Sequence, residues 1–587
     1  MTFRSALLIA SAAAVIAACT SQDAEDTTAS NQPVEAGELQ TEEEDVINVT
    51  GALAAGGDRD GRAEGYQNRR GVLALEAEPA PAATAGIVGP SQPQMRPQPL
   101  PGDIDRERYE EVETNPIKLV SEEPVSTFSV DVDTASYAVA RRYLQSGEAP
   151  PSDAIRVEEL INYFDYDYAL PDSRQQPFSV NAAVAPTPWN ENTEIIHIGL
   201  QGYDIELEER PRANLVFLID VSGSMEAEDK LPLLKQSLRM LVDQMTDEDT
   251  VSIVVYAGAA GAVLEPTPGS ERQRIYAALE SLSAGGSTAG GEGMRLAYSL
   301  AEQNFDEDAL NRVILATDGD FNVGVTSDQR LEDFVADKRE TGIYLSVLGF
   351  GRGNYNDQLM QTIAQAGNGT AAYIDSLNEA RKVLHDEMAG ALFPIANDVK
   401  IQVEFNPARV AEYRLIGYET RMLRREDFNN DQVDAGEIGA GHEVTAVYEI
   451  AAPDSDGRRI EESRYAAQPE LSGVYGDEIG FLRVRYKLPG EDESRLIEQP
   501  ITHADQGYAS IDEAPQETRW VAAVAAYGQL LRRDPYTGEF DFGDVIELAQ
   551  SARGEDAFGY RAEFVQLARL AESAVSLRPL EVAGAGN

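Results

Sequence analysis

The stretch Asn214-Leu215-Val216-Phe217-Leu218-Ile219-Asp220-Val221-Ser222-Gly223-Ser224 decides the fold of this chain. An uninterrupted apolar run such as 215–219 is typical of a strand buried on both faces of a parallel sheet. The run ends at Asp220, and apolar residues then recur at helical spacing, namely Leu231, Leu234, Leu238, Leu241, Val242 and Met245. The segment therefore predicts a buried strand, a polar loop and an amphipathic helix.

The same alternation of strand and helix continues downstream of this segment. Further strands are predicted at 251–256, 313–317, 343–349 and 371–374, and helices at 271–282, 291–303, 328–340, 357–366 and 377–389. Strands that alternate with helices predict an α/β fold with a doubly wound, mostly parallel, Rossmann-like sheet. We assign this domain to residues 213–390, and ligands of such sheets bind at the carboxyl ends of the strands.

Oxygen donors follow three of these predicted elements. Asp220, Ser222 and Ser224 form a D-x-S-x-S motif, Thr288 lies in a glycine-rich loop, and Asp318 ends a later strand. Hydroxyl and carboxylate oxygens suit a hard cation such as Mg²⁺, with Mn²⁺ as a substitute. The pattern therefore predicts a metal site built from Asp220, Ser222, Ser224, Thr288 and Asp318.

All five positions resemble the metal-ion-dependent adhesion site of von Willebrand factor type A domains. The resemblance implies that the hydroxyls bind the metal, that the carboxylates bind it directly or through water, and that an open position takes a carboxylate from a partner protein. The alternative is a degenerate, metal-free domain in which Asp220 and the serines only cap the first helix. Asp320 is either a hydrogen-bond acceptor behind the metal ligands or, as we prefer, an ordinary loop carboxylate.

The regions on either side of this domain have a different pattern. Polar alternation predicts antiparallel strands at 178–184 and 194–202 before the domain, and at 399–405, 412–418, 444–450 and 481–486 after it. We expect these strands to form one β-sandwich into which the α/β domain is inserted, since domain termini often lie close together. Residues 109–212 would then hold a helical segment plus strands, and 391–587 the rest of the sandwich and helices at 518–532, 543–552 and 557–577.

Cys19, the single cysteine of the chain, ends an N-terminal segment with the features of a secretory signal. Ile16-Ala17-Ala18-Cys19 resembles the bacterial lipobox, in which the cysteine is lipidated, and Thr20 in the next position implies export to the outer membrane. The alternative is a plain signal peptide with a chance cysteine. Residues 20–108 predict a disordered tether, because they are acidic at 20–50 and proline-rich at 79–101.

Composition excludes several classes of function. The chain has 48 Lys and Arg against 101 Asp and Glu, and its net charge of −53 argues against nucleic acid as a partner. One cysteine excludes internal disulfides, multi-cysteine zinc sites and iron–sulfur clusters, and four scattered histidines argue against a histidine-rich metal site. The sequence also lacks the G-x-x-x-x-G-K-[ST] loop of nucleotide-binding proteins.

Three further motifs have simpler interpretations. Asp131 and Asp133 resemble the start of a haloacid-dehalogenase motif. We prefer a structural interpretation, in which a strand ends here and Asp133 or Thr134 caps the helix that follows. The stretch 427–431 resembles an EF-hand opening, yet Gln432 and Ile438 stand where calcium needs Gly and an acid, so we predict a turn-rich connector over residues 427–441. Residues 43–50 could add a strand to a partner sheet, although a hydrophobic stretch within a linker is the preferred interpretation.

The order of these segments, together with 126–134, the metal motif and 434–442, resembles the bacterial YfbK-like von Willebrand factor A lipoproteins. That resemblance implies a lipid-anchored protein of the cell envelope, on either face of the outer membrane. We expect a non-enzymatic, metal-dependent protein-binding function. The alternatives are a structural or signalling lipoprotein with a vestigial metal site and a metal-assisted hydrolase.

Overall fold

In the computed structural model of the chain, the described residues are 107–205, 210–286, 290–319, 328–387, 390, 392–461, 475–503 and 508–577. They form an α/β domain, two antiparallel sheets and a layer of helices. Strands are β1 (Lys118–Leu119), β2 (Val125–Ser129), β3 (Phe178–Pro186), β4 (Glu194–Gly202), β5 (Ala213–Asp220), β6 (Thr250–Tyr256), β7 (Ala260–Pro268), β8 (Leu310–Thr317), β9 (Ile343–Phe350), β10 (Ala371–Ile374), β11 (Pro394–Phe405), β12 (Glu412–Ile416), β13 (Gly436–Gly439), β14 (Glu443–Ala451), β15 (Glu478–Lys487) and β16 (Arg495–Thr502).

The α-helices connect the strands of the α/β domain and cover one side of the antiparallel part. They are α1 (Ala135–Gln145), α2 (Val157–Ile161), α3 (Leu231–Asp243), α4 (Arg272–Glu280), α5 (Gly290–Gln303), α6 (Asp328–Arg339), α7 (Asp357–Ala366), α8 (Leu377–Arg381), α9 (Gln516–Arg532), α10 (Phe542–Ala552) and α11 (Tyr560–Leu577). A π-helical turn, Lys382–Asp386, extends α8. Among the described residues, no helix is long and apolar enough to cross a membrane.

The sheet of the α/β domain has the strand order β10-β9-β8-β5-β6-β7. All neighbours are parallel except β7, which pairs antiparallel with β6 at the edge. Every residue of β5 is buried, as its apolar sequence predicts. The doubly wound, mostly parallel sheet is therefore confirmed, and the antiparallel edge strand β7 is an addition that the sequence pattern did not indicate.

The two antiparallel sheets form the predicted sandwich. One has the order β1-β12-β14-β4-β3, and the other has β13-β11-β15-β16, with β2 also paired to β11. One apolar core joins the sheets, including Ile196, Ile198 and Leu200 of β4 and Ile401, Val403 and Phe405 of β11. Since β4 precedes the α/β domain and pairs with β14, which follows it, the domain is inserted into this assembly.

The N-terminal and C-terminal helices pack into one layer against the sandwich. Their shared core contains Tyr163 and Phe164 just after α2, Trp520 of α9 and Phe564 of α11, and it reaches Val447 of β14. Helix α1 also turns Ala135, Ala138 and Val139 toward the α/β domain. This helix therefore joins the helical layer to the α/β domain.

The predicted cap of α1 was wrong. Thr134 occupies the cap position, but its side chain makes no capping hydrogen bond, and the N–H of Ser136 in the first turn donates instead to Glu159 Oε2 at 2.7 Å. Asp131 and Asp133 are instead buried against Arg421, with oxygen–nitrogen distances of 3.0 and 3.4 Å, and Asp133 also accepts a hydrogen bond from the backbone N–H of Ala371. These two carboxylates therefore serve tertiary packing rather than a local cap.

Arg141 of α1 joins the helical layer to the end of the α/β domain. Its Nη2 lies 2.5 Å from Asp375 Oδ1 and 2.6 Å from Glu379 Oε2, and its side chain is only 2% exposed. The cation offsets the charges of two buried carboxylates, of which Glu379 also accepts a hydrogen bond from the Tyr163 hydroxyl at 2.9 Å.

Replacing Arg141 by Met should lower the free energy of unfolding by about 3–5 kcal/mol, because Asp375 and Glu379 would lose a buried countercharge. Urea unfolding of the full chain measures the loss. The matched control is Arg239→Met, whose pair with Glu280 is 44% and 57% exposed and should contribute less than about 1 kcal/mol. Equal effects of the two substitutions would contradict this account.

Candidate metal site

Two acidic side chains meet at the carboxyl edge of the parallel sheet. Strand β5 ends at Asp220, its neighbour β8 ends at Thr317, and Asp318 follows directly. The strands are parallel and paired in register, with Ile219 opposite Ala316, so their ends lie side by side. Asp220 and Asp318 are both fully buried.

The loop after Asp220 brings the serine hydroxyls to the same place. The backbone N–H of Ser222 donates to Asp220 Oδ1 at 2.8 Å, and Ser222 Oγ lies 2.9 Å from Ser224 Oγ. Helix α3 begins only at Leu231, with no side-chain cap at Lys230. Asp220 and the serines therefore do not cap that helix, contrary to the metal-free alternative considered above.

The glycine-rich loop is held against the serine loop. The N–H of Gly285 donates to the carbonyl of Val221 at 2.8 Å, and the N–H of Gly223 donates to the carbonyl of Gly286 at 3.1 Å. These bonds direct the glycine-rich loop toward the two serines. Thr288 itself lies outside the described residues, as do Asp320 and Cys19.

Burial raises the pKa of Asp220 to about 6, and the nearby Asp318 charge adds to the increase. Hydrogen bonds from Ser222 oppose it, and the hydroxyl of Thr317 donates to Asp220 Oδ2 at 3.3 Å. A carboxylate held in this way gains more from a nearby cation than an exposed one, because water does not screen the charge.

The donors fit a hard divalent cation. The described part of the site offers two carboxylates and two hydroxyls, which are ligands that Mg²⁺ accepts when water completes its coordination. Among the described residues, no group of three or more His, Cys, Asp or Glu side chains could hold a metal. A cation at this edge would therefore depend on the serine hydroxyls as well as on Asp220 and Asp318.

Sequence reasoning missed three residues of the site. Lys230 Nζ lies 2.8 Å from Asp318 Oδ2, Asn354 Nδ2 approaches the same oxygen at 3.5 Å, and Thr317 contacts Asp220. Thr317 is the last residue of the predicted strand 313–317, but nothing in the local sequence placed Lys230 or Asn354 near Asp318. Their contacts arise only from the packing of loops.

The segment 427–431 opens the predicted connector, residues 427–441. Asp431 pairs with Arg485 at 2.9 Å and accepts a hydrogen bond from Ser494, so cationic and hydroxyl groups satisfy its carboxylate. The connector also contains the short strand β13, which the sequence pattern did not indicate.

The fold and this arrangement of side chains define a von Willebrand factor type A domain protein. The model of that domain matches residues 214–386, a model described as "von Willebrand factor" matches 103–197, and one described as "Uncharacterized protein YfbK, C-terminal" matches 390–574. The chain is 44% identical to the YfbK protein of Escherichia coli (strain K12) over 477 residues, covering 80% of this chain and 82% of that protein. It belongs to the YfbK family.

More distant similarities cover less of the molecule. Inter-alpha-trypsin inhibitor heavy chain H3 of Mesocricetus auratus is 26% identical over 321 residues, 49% of this chain and 34% of that protein. The solved structure of von Willebrand factor type A from Catenulispora acidiphila covers 69% of this chain and 91% of its own, with 15% identity and a TM-score of 0.38.

Gly319 adjoins the site in a left-handed backbone conformation with φ of 103°. A Cβ atom there would lie 2.4 Å from the carbonyl oxygen of Asn354. Gly319→Ala should therefore lower the free energy of unfolding by about 2 kcal/mol or more, as measured by urea unfolding. Gly261→Ala, where a Cβ would meet nothing within 4 Å, is the control, and a similar loss in both variants would refute the argument.

Proposed function

We propose that this chain is a lipid-anchored protein of the cell envelope that binds a protein partner through a divalent metal, Mg²⁺ or Mn²⁺. Domains of this family typically mediate metal-dependent protein interaction. The observation that carries the proposal is the convergence of buried Asp220 and Asp318 with the hydroxyls of Ser222 and Ser224 at one sheet edge. Thr288 would complete the set of ligands.

The ligand set explains why the partner would supply an acidic side chain. Ser222, Ser224 and Thr288 are neutral donors, so the two carboxylates are the only anionic ligands in the proposed set. A metal with few anionic protein ligands stays electrophilic and can accept an Asp or Glu oxygen from outside. Asp220, which accepts hydrogen bonds from Ser222, would keep that serine oriented toward the metal.

The hydrolase alternative has little support from the described residues. A serine nucleophile is commonly activated by a histidine base, whereas the hydrogen bonds of the Ser222 and Ser224 hydroxyls go to each other and to Asp220, a proposed metal ligand. We therefore propose a binding function rather than catalysis, with the vestigial and hydrolytic alternatives as outcomes of the following test.

Asp220→Ala in the full chain should abolish Mg²⁺-dependent capture of partner proteins from envelope extracts, because it removes one of the two anionic ligands. Capture by the wild type should fail in EDTA and return with excess Mg²⁺. Asp308→Ala is the matched control, since Asp308 belongs to the same domain and its side chain is 85% exposed.

The outcomes separate the three functions. If Asp220→Ala captures the same proteins as the wild type, with metal or in EDTA, the binding proposal fails and a vestigial site is favoured. If instead phosphatase or peptidase turnover is present and is lost in Asp220→Ala, the protein is a hydrolase. Loss of capture in Asp308→Ala as well would show a general defect rather than a metal effect.

Cys19→Ser should release the full-length protein from the membrane fraction of the producing bacterium, because Cys19 is the proposed attachment point of the lipid. Fractionation followed by mass spectrometry of the N-terminal peptide measures the result, and Ser21→Ala is the control. An unmodified Cys19 in the wild-type peptide would refute the anchor while leaving the metal site untouched.

A further inference from the structure

A lysine lies within the proposed metal site. Lys230 Nζ is 2.8 Å from Asp318 Oδ2, and the two side chains are 8% and 0% exposed. The backbone of Lys230 is fixed at the start of α3, since its carbonyl accepts a hydrogen bond from the N–H of Leu234 at 2.8 Å. The ammonium group is therefore held at the carboxyl edge rather than reaching it from solvent.

The neighbouring loop is shaped to hold this side chain. Gly351 has a φ of 75°, and a Cβ atom there would lie 2.2 Å from Lys230 Cγ and 2.4 Å from its Cε. The carbonyl of Gly351 accepts a hydrogen bond from the Tyr373 hydroxyl at 2.7 Å, and Arg142 donates to the same hydroxyl at 2.8 Å. The stem of Lys230 thus occupies a position that only glycine at 351 leaves free, in a loop that buried side chains fix.

The lysine changes the charge of the site. The described carboxylates contribute two negative charges and Lys230 one positive charge. With Lys230 in place, a bound divalent cation would give these groups a net charge of +1, whereas without the lysine the sum would be zero. The charge of Lys230 repels an incoming divalent metal. It also leaves the metal-loaded site with a net positive charge, which attracts an incoming carboxylate.

We infer that Lys230 is a built-in countercation of the metal site, which weakens binding of the divalent metal and strengthens binding of a carboxylate to the metal-loaded site. The inference deepens the proposed function and rests on it. It assigns to Lys230 a positioning and specificity role toward an acidic partner, without requiring that the lysine contact that partner.

Lys230→Met should bind Mn²⁺ about tenfold tighter than the wild type or more, because a like charge a few ångströms from a buried ion is poorly screened. Electron paramagnetic resonance of free Mn²⁺ measures the affinity of the full chain. The acidic chain will also bind Mn²⁺ elsewhere, so Asp220→Ala supplies the background, and only binding that depends on Asp220 is compared.

Three further variants serve as controls for the Mn²⁺ affinity of Lys230→Met. Lys235→Met removes a lysine from the same helix whose ammonium contacts the carbonyl of Glu280, and it should bind Mn²⁺ like the wild type, as should Lys230→Arg. Lys230→Gln removes the charge but keeps a hydrogen-bond donor, and it replaces Lys230→Met if thermal unfolding shows that the Met variant does not fold.

Acetate serves as the carboxylate probe for the second part of the inference. Its titration into the Mn²⁺-loaded chain, followed by water proton relaxation, should show several-fold weaker binding for Lys230→Met than for Lys235→Met. Unchanged or stronger acetate binding by Lys230→Met would overturn this part.

Failure of the inference about Lys230 can be distinguished from failure of the proposed function. If the wild type binds Mn²⁺ in an Asp220-dependent manner and the uncharged variants of Lys230 bind it equally or more weakly, the role of Lys230 is refuted while the proposed function stands. If no variant shows Asp220-dependent binding, the metal site itself is absent and both proposals fall.

Discussion

Two carboxylates buried next to each other form the constraint on which the functional edge of this protein depends. Asp220 and Asp318 reach the same place because β5 and β8 are adjacent and parallel. Burial of two like charges is unfavourable unless hydrogen-bond donors or cations compensate. The N–H of Ser222, the hydroxyl of Thr317 and the ammonium of Lys230 supply that compensation, and a divalent metal would add to it.

Buried carboxylates compensated by cations also join the domains to each other. Arg141 pairs with Asp375 and Glu379 at the end of the α/β domain, and Arg156 lies 2.6 Å from Asp357 at the start of α7. These contacts tie the inserted A domain to the N-terminal helical segment, which lies between β2 and β3 of the sandwich. The N-terminal segment also reaches the loop beside Asp318, where Glu107 accepts a hydrogen bond from the N–H of Gly353. The site is thus framed by parts of the chain outside the A domain.

Much of the fold could be predicted from local patterns. Strand β5 was recognisable because burial on both faces requires a continuous apolar run, and β4 was recognisable from its polar alternation. Strand β7 was missed because its sequence contains Gly261, Pro266 and Pro268 and lies at an exposed edge, where apolar residues are not required. The predicted cap by Asp133 was wrong because a distant Arg421 offers that carboxylate a stronger partner than the helix N-terminus does.

By itself, the sequence determined the α/β order, the insertion of one domain in another and the oxygen donors at strand ends, since these follow from residue spacing and side-chain chemistry within short segments. Only the tertiary structure decided which cations meet which carboxylates. Lys230 and Asp318 are 88 residues apart, and Arg141 and Glu379 are 238 apart. Their contacts depend on how helices and loops dock, and a short-range periodicity carries no information about that docking.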